Sequence, residues 1–270
     1  MLSFEYNGQS TDTIVDQPLM IVTFEAPNEI AGFSREIVKG DKTMLHQEVN
    51  HYGTMYSDDS TYEFYLVKKD GSGFTNTEQR KINKWLTSPT LPKRLKGIGD
   101  DKEELIYKGI FQHIDWKLIT CKTGKLDSVK CTFVCDTPFI WQPKKQTYNV
   151  DNFQAINLTI DSDDSEYRIY PKITIKTQSE QTITILHKGT NYKMSVHCRP
   201  NLTVCLDCKY CRVTDGTVTG AVSFTDIGWT NAEGLQWLYL IDGPNILNIS
   251  GSCTVDIEYD VPIKRIGDLL

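Results

Sequence analysis

The densest cluster of reactive side chains in the sequence is Cys205-Leu-Asp-Cys208-Lys-Tyr-Cys211, with Cys198 and Cys253 as further candidate thiols. Paired cysteines at this spacing are a common start of a tetrahedral zinc site, because thiolates bind the borderline-soft ion tightly. The surrounding pattern is extended, however. Residues three apart on a strand point to opposite faces, so Cys205 and Cys208 diverge. No glycine lies between them to tighten a ligand turn. The cluster reads as free thiols on a strand–turn–strand, and no metal ligand is assigned. Cys121, Cys131 and Cys135 fall in strand pattern, where a free cysteine acts as a small buried hydrophobe.

Other chemistries fail on geometry. Asp161-Ser-Asp-Asp-Ser-Glu166 lacks the central glycine and the distal bidentate Glu of a calcium loop, so it reads as a solvated linker. Gly97-Ile-Gly99-Asp-Asp-Lys102 has neither the third glycine nor the following helix of a dinucleotide fingerprint. The five histidines (His46, His51, His113, His187, His197) are scattered, and there is no Gly-x-Ser-x-Gly elbow to receive one. Asp58-Asp59 and Glu103-Glu104 are adjacent in sequence and diverge on extended chain, whereas a glycosidase needs two carboxyls facing one bond. Trp229, Trp237 and Tyr239 could stack on a sugar ring, although a half-buried strand explains Trp237-Leu-Tyr239 more simply. The expectation is no enzyme, no cofactor and no metal.

Composition agrees with a soluble globular chain: 270 residues, 39% hydrophobic and 24% charged. A net charge of −6 argues against a surface that holds duplex DNA or anionic membrane, since both need an excess of Lys and Arg. No run approaches the roughly 18 apolar residues of a membrane span. The first residues, Met1 to Gly8, lack the basic and apolar regions of a secretory signal, so synthesis and folding in a cytoplasm are expected. There the eight cysteines stay reduced. The sequons at Asn157, Asn201 and Asn248 then carry no meaning.

The elements that must position any site are mostly strands. Thr75 and Glu78 fit a capping box, and Ile82, Trp85 and Leu86 form one apolar stripe, predicting a helix over 76–86. Ser88-Pro89 and Leu91-Pro92 end it. Strands are expected at Leu2–Tyr6, Leu19–Phe24, Tyr62–Val67, from Leu105 through His113 to Leu118, and from Val129 to Cys135. Between Ser34 and Ser60 the chain reads as a long polar hairpin or arm that cannot bury enough surface to stand alone. A composition change at Pro143-Lys-Lys145 marks a junction, giving domains 1–145 and 146–270. Beyond it, Ile173/Ile175, Ile183/Ile185, Met194/Val196, Leu202/Val204/Leu206, Val222/Phe224 and Cys253/Val255/Ile257/Tyr259 alternate with polar residues. Short alternating strands of this kind predict an antiparallel sandwich. The fold class is therefore mainly β, with one short helix in the first half.

Four segments carry a family likeness: Phe33-Ser-Arg-Glu-Ile-Val-Lys-Gly-Asp41, Asn50-His-Tyr-Gly with Tyr56, Phe74 to Pro89, and Cys131-Thr-Phe-Val-Cys-Asp-Thr-Pro-Phe139. With Tyr170-Pro-Lys-Ile173 and Leu238 to Ile246 they make the chain resemble the distal tail proteins (Dit) of siphophages and prophages that infect Gram-positive bacteria. The resemblance implies an N-terminal ring-forming domain with an arm near 34–60, and a C-terminal galectin-like β-sandwich. It implies a hexameric hub at the tail tip, assembled in the host cytoplasm and joining the tail tube protein to the tail-tip or baseplate proteins. In some phages the outer domain also carries a receptor-binding protein. The expectation is that no nucleic acid is recognised specifically and no membrane is bound. The alternative is a carbohydrate-binding adhesion module that touches the host wall through the sandwich. A bacteriocin-like or gene-transfer particle would use the same hub.

Overall fold

The computed structural model describes residues 3–22, 35–40, 51–56, 60–98, 104–121, 124–200, 203–217, 220, 222–228 and 236–264. The chain divides into two compact units, 1–141 together with 264–270, and 142–263. Among the described residues the first unit contains β1 (Phe4–Tyr6), β2 (Gln9–Ser10), β3 (Leu19–Val22), β4 (Arg35–Lys39), β5 (His51–Tyr56), β6 (Thr61–Lys68), α1 (Asn76–Thr87), β7 (Lys93–Ile98), β8 (Glu104–Cys121) and β9 (Gly124–Cys135). β10 (Ile140–Val150) begins in the first unit and ends in the second. The second continues with β11 (Phe153–Ile160), β12 (Lys172–Lys176), β13 (Gln181–His187), β14 (Tyr192–Cys198), β15 (Thr203–Asp207), β16 (Arg212–Thr214), β17 (Gly243–Ser250) and β18 (Cys253–Ile263). The expected strand start at Leu2 and strand end at Phe24 lie outside the described residues, and the strand expected at Val222/Phe224 is instead a turn over 224–228, where Ser223 and Asp226 bond each other's backbone N–H groups.

In the first unit, antiparallel pairings run β2-β1-β7-β8-β9-β6-β3. β8 keeps its period of two only as far as Phe111. A bulge between Phe111 and His113 adds one residue, so the inward series Leu105/Tyr107/Phe111 resumes in the other phase at Ile114/Trp116. Gly109 sits where β8 meets β9, and a Cβ there would lie 2.1 Å from the Val134 carbonyl oxygen. No other residue fits that crossing.

The core behind these strands is aromatic. Phe4, Tyr6, Phe64, Trp85, Phe111 and Phe133 are all buried. Phe4 stacks on Trp85 at 5.5 Å, and Tyr6 meets Phe111 edge-on at 4.9 Å. Offset and edge-on contacts of this kind are the favoured aromatic geometries. The Trp85 indole N–H donates to the Tyr6 carbonyl at 2.8 Å, so the helix stripe is fastened to β1 by a polar bond inside the core. On the exposed flank, Trp116 Nε1 donates to Asn83 at 3.1 Å.

The start of α1 is fixed as the capping box requires. Glu78 N–H donates to Thr75 Oγ1, while the Glu78 carboxylate accepts from the Thr75 N–H at 2.8 Å. That carboxylate also receives the Lys68 ammonium, 2.8 and 2.9 Å from its two oxygens. Lys68 further donates to the Gly73 carbonyl at 2.9 Å, and both charged side chains are buried. The Lys68 hydrogen bond holds the Glu78 carboxyl down at about 2.

The second unit is a two-sheet antiparallel sandwich. One sheet runs β10-β18-β12-β15-β16 and the other β11-β17-β13-β14. Their inner faces bury Ile173, Ile175, Val204, Leu206, Val255 and Ile257 against Ile156, Leu158, Ile183, Ile185, Val196 and Ile249. Among the described residues a hydrogen-bonded polar pair, His187 and Asn245, is buried in this unit. His187 is fully buried, with Nε2 3.1 Å from Asn245 Oδ1 and Nδ1 2.8 Å from Thr190 Oγ1. Asn245 Oδ1 also accepts from the Ile241 N–H, and its Nδ2 donates to the carbonyls of Ile241 and Gly243. Neutral His187 with its proton on Nε2 satisfies every partner. Burial lowers its pKa from 6.5.

Trp85→Ala should destabilise the first unit by about 3–5 kcal/mol, seen as a fall in its melting temperature; an unchanged melting curve would show that the stripe is not core. The Glu78 contribution has a defined sign: with its pKa depressed, stability is present above pH 4.5 and lost as pH falls toward about 2. Glu78→Gln should therefore cost roughly 3–5 kcal/mol at pH 7, by leaving Lys68 buried without its counter-charge, and flatten the acid limb of the stability curve. For His187 the sign is set by its lowered pKa: its contribution is present above pH 6.5 and shrinks as pH falls below it, because the unfolded chain takes the proton first. His187→Gln should weaken that dependence in melting curves between pH 8 and 5.

Candidate functional site

β4 and β5 form a separate two-stranded antiparallel ribbon, with Arg35 opposite Tyr56, Glu36 opposite Met55 and Ile37 opposite Thr54. The register shifts between Val38 and Lys39. Residues 41–50, which connect the strands, lie outside the described residues, as do 34 and 57–59 of the expected arm. Gly40 lies under the Tyr52 ring, whose nearest atom is 2.6 Å from where a Cβ would sit.

The root of the ribbon is built from aromatic rings and cations. Tyr56 meets Phe139 edge-on at 4.9 Å, and Phe139 is buried. Arg35 donates to the Tyr56 hydroxyl at 2.9 Å and its guanidinium lies 5.0 Å from the Tyr56 ring centre. The Lys264 ammonium is 5.4 Å from the same ring and 5.9 Å from Phe139. Phe139 in turn contacts Trp141 at 6.2 Å, and Lys108 sits 3.8 Å over the Trp141 ring. Cation–π contacts of this kind are each worth about 0.5–2 kcal/mol, the larger values where water is excluded. Segments that the sequence shows only as separate stretches, around residues 35, 56 and 139, meet here.

Away from the root the ribbon is bare. Ile37 is 47% exposed, Met55 58% and Tyr52 70%. Ile37 and Met55 are not cross-strand partners, and their registers place them on opposite faces of the ribbon. A two-stranded ribbon that leaves apolar side chains uncovered on both faces does not stabilise itself in water.

The sequence-derived thiol cluster is dispersed. Cys205 lies in β15 between Val204 and Leu206, and those two, together with Cys208, belong to the sandwich core while Cys205 faces the other way. Cys208 is buried and its thiol is pushed up to about 12 by desolvation. Cys211 is exposed, in the left-handed region at φ 53°. Cys198 and Cys253 are buried in the core, each raised to about 11 by burial. Among the described residues no group of three His, Cys, Asp or Glu is placed to hold a metal ion. The side chain of Cys121 lies outside the described set. Within Asp161–Glu166, the backbone N–H groups of Ser162 and Glu166 bond to Asp242 and Asp164, making a turn.

Of the aromatics with possible stacking roles, Trp229 lies outside the described residues and Trp237 packs against the sandwich core. Tyr239 is held by Tyr192 at 5.4 Å, Tyr170 at 6.1 Å and the Arg168 guanidinium at 4.7 Å. His187, bonded to a residue 58 positions away, had no local signal in the sequence.

Known proteins show where this architecture recurs. The Dit protein of phage SPP1, described as a paradigm of the hub adsorption apparatus in phages that infect Gram-positive bacteria, is similar over 97% of this chain and 99% of its own, with a TM-score of 0.59 and 14% identity. A chain of the phage P2 baseplate in its activated conformation with calcium is similar over 95% of this chain and 97% of its own, with a TM-score of 0.55 and 8% identity. The corresponding baseplate chain with strontium gives a TM-score of 0.54 at 10% identity, covering 100% of both chains. At these identities the likeness establishes a Dit-like fold. None of the curated proteins matches the sequence. Residues 1–137 match the family described as phage tail protein N-terminal domain, and residues 139–259 match the phage tail C-terminal domain. The chain belongs to this phage tail protein family.

Proposed function

We propose that the chain is the distal tail hub of a long-tailed phage: a virion structural protein, without catalytic residues, whose copies form a six-membered ring through the first unit. The ring joins the tail tube protein on one side to the tail-tip or baseplate proteins on the other, and the sandwich projects outward, where a receptor-binding protein can attach. Assembly takes place in the host cytoplasm. The observation that carries this reading is the β4–β5 ribbon, which is anchored at its root by Tyr56 on Phe139 and leaves Ile37, Tyr52 and Met55 uncovered. A neighbouring copy gives such a ribbon a surface to lie on. Head-to-tail contacts of one patch with a different patch close into rings when the rotation allows it. The Dit-like fold and the phage tail family support the reading. The acidic balance of the chain, −6 overall, suits a ring through which DNA passes without sticking.

The reading predicts that Ile37→Lys with Met55→Lys leaves the melting temperature within a degree or two, since both side chains are exposed, but prevents self-assembly in size-exclusion chromatography with light scattering. Assembly unchanged by the pair would remove the ribbon from the interface.

A further inference from the structure

The two edges of the β11-β17-β13-β14 sheet are treated differently. At the β14 edge the His197 N–H is taken by the Ile227 carbonyl at 2.9 Å and the Lys193 N–H by the Gln236 side chain at 3.2 Å. At the opposite edge lies β11, Phe-Gln-Ala-Ile-Asn-Leu-Thr-Ile, paired with β17 in unbroken register from Phe153↔Ser250 to Ile160↔Gly243. Among the described residues no other backbone or side-chain hydrogen bond reaches 154–160. β11 has no bulge, no proline and no charged residue, the features that normally keep a free edge from pairing. Of the other outer strands, β2 has two residues, β16 three and β3 four, while the longer β10 carries Pro143, Lys144 and Lys145.

We propose that the β11 edge is a self-pairing surface, through which the sandwiches of two copies join antiparallel about a two-fold axis at Asn157. The occupant follows from the strand itself. A charged edge would set like charges opposite one another across such an axis, whereas this one sets none. Centred on Asn157, the register places Ile156 against Leu158 and Gln154 against Ile160 on the inner face, with Ala155 against Thr159 and Asn157 against its own copy on the outer face. Ile156 and Leu158 then meet apolar to apolar inside, and the outer pairs, Ala155 with Thr159 and Asn157 with its own copy, are small and uncharged. Pairing makes one continuous sheet from two four-stranded ones and satisfies the outward backbone groups of both edges. A two-fold contact does not relate neighbours in a six-membered ring, so it joins copies from two separate assemblies, independently of the ribbon contact.

The test is sedimentation velocity on the full chain over a concentration series, together with hydrogen exchange at the β11 amides. The expected result is concentration-dependent doubling of whatever species the first unit forms, whether a single chain or a ring, with protection of alternate β11 amides at high concentration only. Ala155→Lys with Asn157→Lys, both exposed positions, should leave the melting temperature unchanged and weaken the doubling about tenfold or more. If the lysine pair leaves doubling unaffected, or if β11 amides exchange freely at every concentration, self-pairing is wrong. If protection appears only when other tail proteins are added, the edge receives a strand from a different chain, which also overturns the proposal.

Discussion

The buried contact between Lys68 and Glu78 is the constraint on which the first unit depends. It ties the last residue of β6 to the first turn of α1, and it is the only way that both charges can leave water without a large penalty. Once the helix start is fixed there, the stripe of Ile82, Trp85 and Leu86 has a single direction in which to face. Trp85 then reaches the Tyr6 carbonyl, and β1 is held in the sheet by a helix that follows it by some seventy residues. The aromatic core around Phe111 and Phe133 closes behind that bond. Helix, sheet and core are thus one cooperative object, and the ribbon is rooted on its surface through Phe139.

Much of this was legible in the sequence because the forces involved are local. Thr75 and Glu78 are three residues apart, so the capping box and the helix, found over Asn76–Thr87, follow from near neighbours alone. Alternation likewise revealed the sandwich strands, since each has one wet face and one dry face. What remained hidden depends on contacts between residues distant in the chain. The strand from Leu105 to Leu118 was legible, but the bulge that shifts its phase between Phe111 and His113 depends on pairing with β9. Nothing in the spacing of Lys68 marks it as a partner of Glu78, and only the fold brings the two together. The Tyr56–Phe139 root and the His187–Asn245 pair have no signature in local spacing either.

The tempting chemistry illustrates the same division. A Cys-x-x-Cys spacing draws attention to zinc, but strand geometry sends Cys205 and Cys208 to different sides of β15 and its turn, and Cys208 lies in a desolvated core where the thiolate is disfavoured. The unusual features of this molecule are instead surfaces: a ribbon bare on both faces and a strand edge with no protective charge. Both are costly in an isolated chain and explicable in one that is built into a larger assembly.

Native mass spectrometry of the full chain tests that account most directly. The account predicts species at six times the 30.8 kDa subunit mass or a multiple of it. A strictly monomeric chain at all concentrations would contradict it.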